Sequence, residues 1–122
     1  MARALAPLAL MGVIFYLSAQ PPDGSDIPEW GRVVAHFTEY AVLAALWLWA
    51  LRPPLGRSAF LVAAAIAAGY AISDEYHQSF VSGRDSDPFD VLVDCAGIAA
   101  ALALAQARGR LSTRRTQSRT SG

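Results

Sequence analysis

The stretch Tyr-Ala-Ile-Ser-Asp-Glu-Tyr-His-Gln-Ser-Phe-Val-Ser-Gly-Arg-Asp-Ser-Asp-Pro-Phe-Asp-Val-Leu-Val-Asp-Cys-Ala-Gly, residues 70–97, decides how this chain is read. It sets Asp74, Glu75, His77, Arg84, Asp85, Asp87, Asp90 and Asp94 between two apolar runs, Ala59 to Ile72 and Ile98 to Ala107. A charged side chain at the centre of a bilayer costs about 2.5 to 3.5 kcal/mol on insertion scales. These groups must therefore be paired with one another or kept near water at the ends of membrane helices.

Outward from that block, four apolar runs cover Ala4 to Ala19, Val33 to Leu51, Ala59 to Ile72 and Phe89 to Ala107, separated by short segments rich in Gly, Pro and charge. Apolar residues make up 54% of the 122 residues, more than soluble domains carry. A span needs roughly 20 residues to cross about 30 Å of hydrocarbon. The second run has that length, and the third and fourth reach it with their polar ends. The fold expected is an all-α integral membrane bundle of four transmembrane helices with short loops, over residues 1–107. Residues 108–122, rich in Arg, Ser and Thr, read as a disordered basic cytoplasmic tail. The first run reads as a membrane helix rather than a cleaved signal, because Leu17 interrupts the small-x-small pattern of a cleavage site.

Zero formal charge conceals an asymmetry. Arg3, Arg52, Arg57, Arg108, Arg110, Arg114, Arg115 and Arg119 lie at the N-terminus, between runs two and three, or after run four, whereas all ten acids lie within 23–39 and 74–94. Because cytoplasmic loops are enriched in Lys and Arg, both termini are expected in the cytoplasm and the acidic loops outside. Nothing in this pattern suggests nucleic-acid binding. Cys95 is the single cysteine, which excludes an internal disulfide, and it reads as a small packing residue. Either Asp26 or Gly31 could lead into the second helix.

Three helices bring polar residues to matching depth. On the second, His36, Glu39, Tyr40 and Leu43 follow the i, i+3, i+4, i+7 spacing of one face. The third opens with Ala63, Ala64, Ala65, Ala67, Ala68 and Gly69, small enough for close helix approach, and ends with Tyr70, Ser73, Asp74, His77 and Gln78 on one face and Glu75 at its edge. On the fourth, Pro88 suits a first helical position, and Asp87, Asp90, Asp94, Gly97 and Ala101 form a narrow stripe. The expected outcome is one outward-facing polar pocket of His36, Glu39, Tyr40, Asp74, Glu75, His77, Gln78, Arg84, Asp90 and Asp94.

The same residues carry a family likeness. Phe-Tyr-Leu-Ser-Ala-Gln-Pro at 15–21, His-Phe-Thr-Glu-Tyr at 36–40, Asp74-Glu75 with Gln78 and Phe80, Gly83-Arg84, and Asp90 with Gly97 together resemble the VanZ-like family of bacterial membrane proteins. The resemblance spans about residues 10–105, with Asp94 where that family more often has Asn and Ser82 where it more often has Pro. It implies a multi-pass protein of the cell membrane and cell envelope, linked to antibiotic resistance of the low-level teicoplanin type. It implies membrane lipids, a cell-envelope lipid or a glycopeptide-related ligand as partners.

Two functional classes stay open on these residues. The pocket could bind or modulate an envelope lipid or partner without chemistry. Alternatively, His and carboxylates could hold a divalent metal, or act as acid and base on a phosphate-bearing lipid, with Arg84 gripping the phosphate. Carboxylates outnumber cations in the pocket, which favours a ligand or ion site of some kind. A proton-coupled carrier is disfavoured, since the inner halves of all four helices lack ionisable residues.

Overall fold

A computed structural model describes residues 2–19, 28–81 and 88–121. After a single 3-10 turn over Ala2–Ala4 the chain forms α1 (Leu5–Ala19), α2 (Glu29–Leu55), α3 (Ser58–Gln78) and α4 (Pro88–Thr120). All four, α1 counted with its leading turn as Ala2–Ala19, are long and apolar enough to cross a membrane, as the four apolar runs predict, and no strand occurs among the described residues.

Local chemistry sets the helix ends. Pro28 takes an extended conformation (φ −62°, ψ 153°) and its carbonyl accepts the N–H groups of Gly31 and Arg32 at 2.9 and 3.2 Å. This starts α2 at Glu29, between the two starts considered from the sequence; Asp26 lies outside the described residues. Gly56 ends α2 at φ 57° with its N–H on the Arg52 carbonyl at 2.8 Å, a left-handed conformation that costs other residues about 1 kcal/mol or more. Pro88 is the first residue of α4, as its missing N–H predicts.

α4 differs from expectation at its other end. The helix runs on to Thr120, where the sequence reads as a disordered tail after Ala107, and residues 110–121 are all exposed. Propagation explains it: the segment adds only one Gly and no Pro to a helix already nucleated, and Arg, Gln and Leu are good helix formers. Thr113, Thr116 and Thr120 turn their hydroxyls onto carbonyls four residues back, at 3.0, 3.1 and 3.4 Å.

α2 and α3 form the short diagonal of a four-helix rhombus. Each packs against α1, α4 and the other, while α1 and α4 do not touch among the described residues. Ala59, Ala63, Ala67 and Ala71 recur every fourth residue on α3 and have no exposed surface. Against them lie Tyr40, Leu43, Ala44, Trp47 and Leu48 of α2 and Ile98 of α4. Small side chains there let the helix axes approach, which is how packing replaces the hydrophobic effect where lipid is as apolar as leucine.

Gly97 marks the tightest approach. A Cβ at this position would lie 3.1 Å from the Phe37 carbonyl carbon and 3.2 Å from its Cα, with the carbonyl oxygen nearer still. Gly69, by contrast, is exposed with nothing near its missing side chain, so the small-residue run on α3 packs through its alanines. The outer surface carries large apolar residues on every helix, among them Leu61, Trp30, Phe80, Leu5 and Leu92. A soluble monomer does not expose apolar area on this scale.

The bundle is polarised along its axis. Arg3 contacts Trp49, Arg52 lies over Phe60, and the Arg52 guanidinium would meet a side chain at Gly109 at 3.6 Å. The start of the chain, the turn between α2 and α3 and the middle of α4 therefore share one basic end. The acids of the described residues gather toward the other.

Candidate functional site

At the acidic end, α2 and α4 face each other through two polar pairs. His36 Nδ1 lies 3.0 Å from Asp94 Oδ1, and Arg32 Nη2 lies 3.6 Å from Asp90 Oδ1. The first is a hydrogen bond whichever partner carries the proton: an imidazole N–H donates to a carboxylate, or a carboxylic O–H donates to neutral imidazole. The second is longer than a hydrogen bond and acts as an ion pair. Arg32 and His36, like Asp90 and Asp94, are four residues apart, so the two pairs stack one helical turn apart.

α3 joins from the side. The Tyr40 hydroxyl donates to Asp74 Oδ2 at 3.4 Å, the long end of the hydrogen-bond range. Asp74 and Asp94 lie within electrostatic reach of each other and of Tyr40, and Asp90 and Glu39 within reach of His36. Asp74, Asp90 and Asp94 are all at least nine-tenths buried, and so is Glu75. Asp74 Oδ1 and Arg32 Nε are buried without a hydrogen-bond partner. Such atoms carry the full cost of desolvation, of order 1 to 3 kcal/mol each, which makes them the places where a further group would be accommodated.

Toward α1 the polar contacts are of another kind. Gln78 Nε2 donates to Ser18 Oγ at 3.2 Å, both buried. The His77 ring stacks on Phe15 with centroids 4.6 Å apart and planes 15° from parallel, its Nδ1 buried and unpartnered. Tyr70 donates its hydroxyl to the Met11 carbonyl at 2.5 Å. Ser73, expected on the polar face, is exposed and bonds its own backbone at Tyr70.

Of the residues expected to converge, the structure brings His36, Tyr40, Asp74, Asp90 and Asp94 together, with Glu39 half-buried beside His36. His77 and Gln78 face α1 instead. Arg84 lies outside the described residues. Arg32 was not among the expected pocket residues although its spacing places it one turn before His36; the ion pair with Asp90 is what adds it. Among the described residues no three His, Cys, Asp or Glu side chains are arranged to hold a metal ion.

The VanZ/LLP1 family model matches residues 4–109. The chain belongs to the VanZ/LLP1 family. That match covers α1, α2, α3 and α4 as far as Gly109, so the buried polar cluster lies wholly within the VanZ/LLP1 region. With four helices able to span a membrane, this VanZ-like chain is a multi-pass membrane protein. No curated protein and no solved structure matches it.

Proposed function

We propose that this VanZ-like protein resides in the bacterial cell membrane with both termini cytoplasmic, and that its polar cluster faces outward and binds an envelope lipid or envelope partner. Binding there modulates the cell surface and lowers susceptibility to lipid-tailed glycopeptides such as teicoplanin. The orientation rests on the basic residues gathered at one end of the bundle. The observation that carries the reading is the unfilled hydrogen-bonding capacity of Asp74 Oδ1 and Arg32 Nε inside the three-helix cluster. An acceptor and a donor, each buried and unused, suit a ligand that offers both, such as a hydroxyl-bearing phosphate ester.

Reporter fusions at Arg57 and Gly83 test the orientation; cytoplasmic activity at Gly83 would overturn it. Expression in a susceptible Gram-positive host tests the function. Tolerance to teicoplanin should rise more than tolerance to vancomycin, whose action depends less on the membrane surface. Asp74→Asn, Glu75→Gln and Arg84→Ala should each abolish the gain at unchanged protein level. Full protection by all three would show that the cluster only holds the helices together.

A second reading is favoured by the His36–Asp94 pair. A carboxylate on Nδ1 fixes the imidazole and leaves Nε2 to take or give a proton, which suits acid–base chemistry on a phosphate-bearing lipid. Incubation of the purified protein with lipid-linked phosphates, with His36→Gln as control, separates turnover from binding.

A further inference from the structure

The opposite, basic end of the bundle holds a cleft of about 400 Å³ lined by Ala2, Arg3, Ala50, Pro53 and Pro54. Its origin lies in the sequence of α2. Pro53 falls inside the last turns of the helix, and because proline has no N–H, the carbonyl four residues back at Trp49 loses its helical donor. Arg3 takes that place: its Nη1 donates to the Trp49 carbonyl at 3.3 Å, and its guanidinium carbon lies 4.9 Å from the centre of the Trp49 ring. Pro53 and Pro54 also present the cleft with a wall of ring methylenes and no N–H groups.

Arg3 is thus held by a backbone carbonyl and an aromatic face while remaining exposed. A guanidinium has five N–H donors, and the Trp49 carbonyl is the one acceptor it meets among the described residues. The surrounding charge has a single sign. Arg52, Arg57, Arg108 and Arg110 stand near this end, and no acid occurs in 1–22, 40–73 or 95–122.

We infer that this cleft is a binding site for an anionic glycerophospholipid of the phosphatidylglycerol type, its phosphodiester on Arg3 and its glyceryl region over Ala2, Pro53 and Pro54. The site is distinct from the polar cluster and at the other end of the helices. A pre-oriented arginine beside an apolar wall selects a lipid phosphate, since a guanidinium pairs with phosphate oxygens through two parallel N–H donors. Basic pockets between membrane helices are suited to such headgroups.

The test is lipid retention by the purified full-length protein, measured by native mass spectrometry after titration with phosphatidylglycerol or phosphatidylcholine. One phosphatidylglycerol should be retained about tenfold more strongly than phosphatidylcholine. Arg3→Gln should lose that preference while keeping a donor for the Trp49 carbonyl. Ala2→Phe, which fills the cleft from an exposed position and leaves Arg3 in place, should weaken retention as well. Arg114→Gln, which removes equal charge from the exposed part of α4, should behave as the parent. Equal retention of both lipids, an unchanged Arg3→Gln protein, or an equal loss in Arg114→Gln would each overturn the proposal, the last by showing diffuse charge attraction only.

Discussion

Replacing Gly97 by alanine adds one methyl group at the point where α4 crosses α2. That methyl would lie 3.1 and 3.2 Å from the Phe37 carbonyl carbon and Cα, with the carbonyl oxygen nearer, whereas carbon contacts are comfortable at about 3.5 to 4.0 Å. The obstacle is helix backbone, which cannot swing aside as a side chain can, so the helices must part by roughly 1 Å. Gly97 is three residues from Asp94, and Phe37 adjoins His36. A parting of that size stretches the 3.0 Å His36–Asp94 contact to about 4 Å, beyond hydrogen bonding. Overpacking costs about 1 to 3 kcal/mol and a buried hydrogen bond broken with its partners left unsatisfied about 1 to 3. Against them stands the better helix propensity of alanine, about 1 kcal/mol. The net expectation is destabilisation by about 1 to 5 kcal/mol.

Gly69→Ala is the matched control, since nothing lies near that position and only the propensity gain should remain. Unfolding of the purified proteins in mixed micelles, titrated with a denaturing detergent, measures both. The two substitutions should have opposite signs. If Gly97→Ala proves as stable as Gly69→Ala, the close α2–α4 crossing is not present and the reasoning fails.

Further expectations follow from the same contacts. Asp94→Asn should keep a hydrogen bond to His36 and cost less than Asp94→Ala, which strands the imidazole and should lose about 1.5 to 3 kcal/mol in the same titration. Ser18→Ala and Gln78→Leu should each destabilise by about 1 to 3 kcal/mol, by leaving a buried partner unsatisfied, and the double variant should cost less than their sum; strict additivity would mean that α1 is not docked through this bond. Ala67→Leu, at a position with no exposed surface, should cost about 1 to 3 kcal/mol, while Ala65→Leu on the exposed side of α3 should be neutral; equal effects would contradict the orientation of that helix.

The membrane fold is legible because it rests on length and composition: four apolar runs become four helices, and Pro88 marks a helix start by backbone chemistry that is local, whereas α2 runs past the end of its apolar run at Leu51 through Pro53 and Pro54 to Leu55. The core of the polar cluster was also legible, since His36, Tyr40, Asp90 and Asp94 sit at helical spacing on stripes that a bundle must bury. Helical phase alone did not say which neighbour each stripe would meet. Asp74 and His77, three apart on α3, diverge to α2 and to α1, because α3 is on the short diagonal of the rhombus and has partners on both sides. Arg32 shares the phase of His36 but lies among the acids at the start of α2, and only the docking of α2 on α4 pairs it with Asp90. The extent of α4 past Ala107 is hidden by the polarity of that segment, although nothing in it stops a helix once begun.

Everything proposed for the polar end depends on α2 and α4 meeting through His36 and Asp94. The chain has two histidines, and the other, His77, stacks on Phe15. Solid-state NMR on protein labelled with 15N-histidine and 13C-carboxyl aspartate in lipid bilayers reads the contact in the parent protein, and Asp94→Asn assigns it. One imidazole should show strong nitrogen-to-carboxyl dephasing, and that signal should vanish in Asp94→Asn. Dephasing of neither histidine, or dephasing that survives Asp94→Asn, would contradict the cluster.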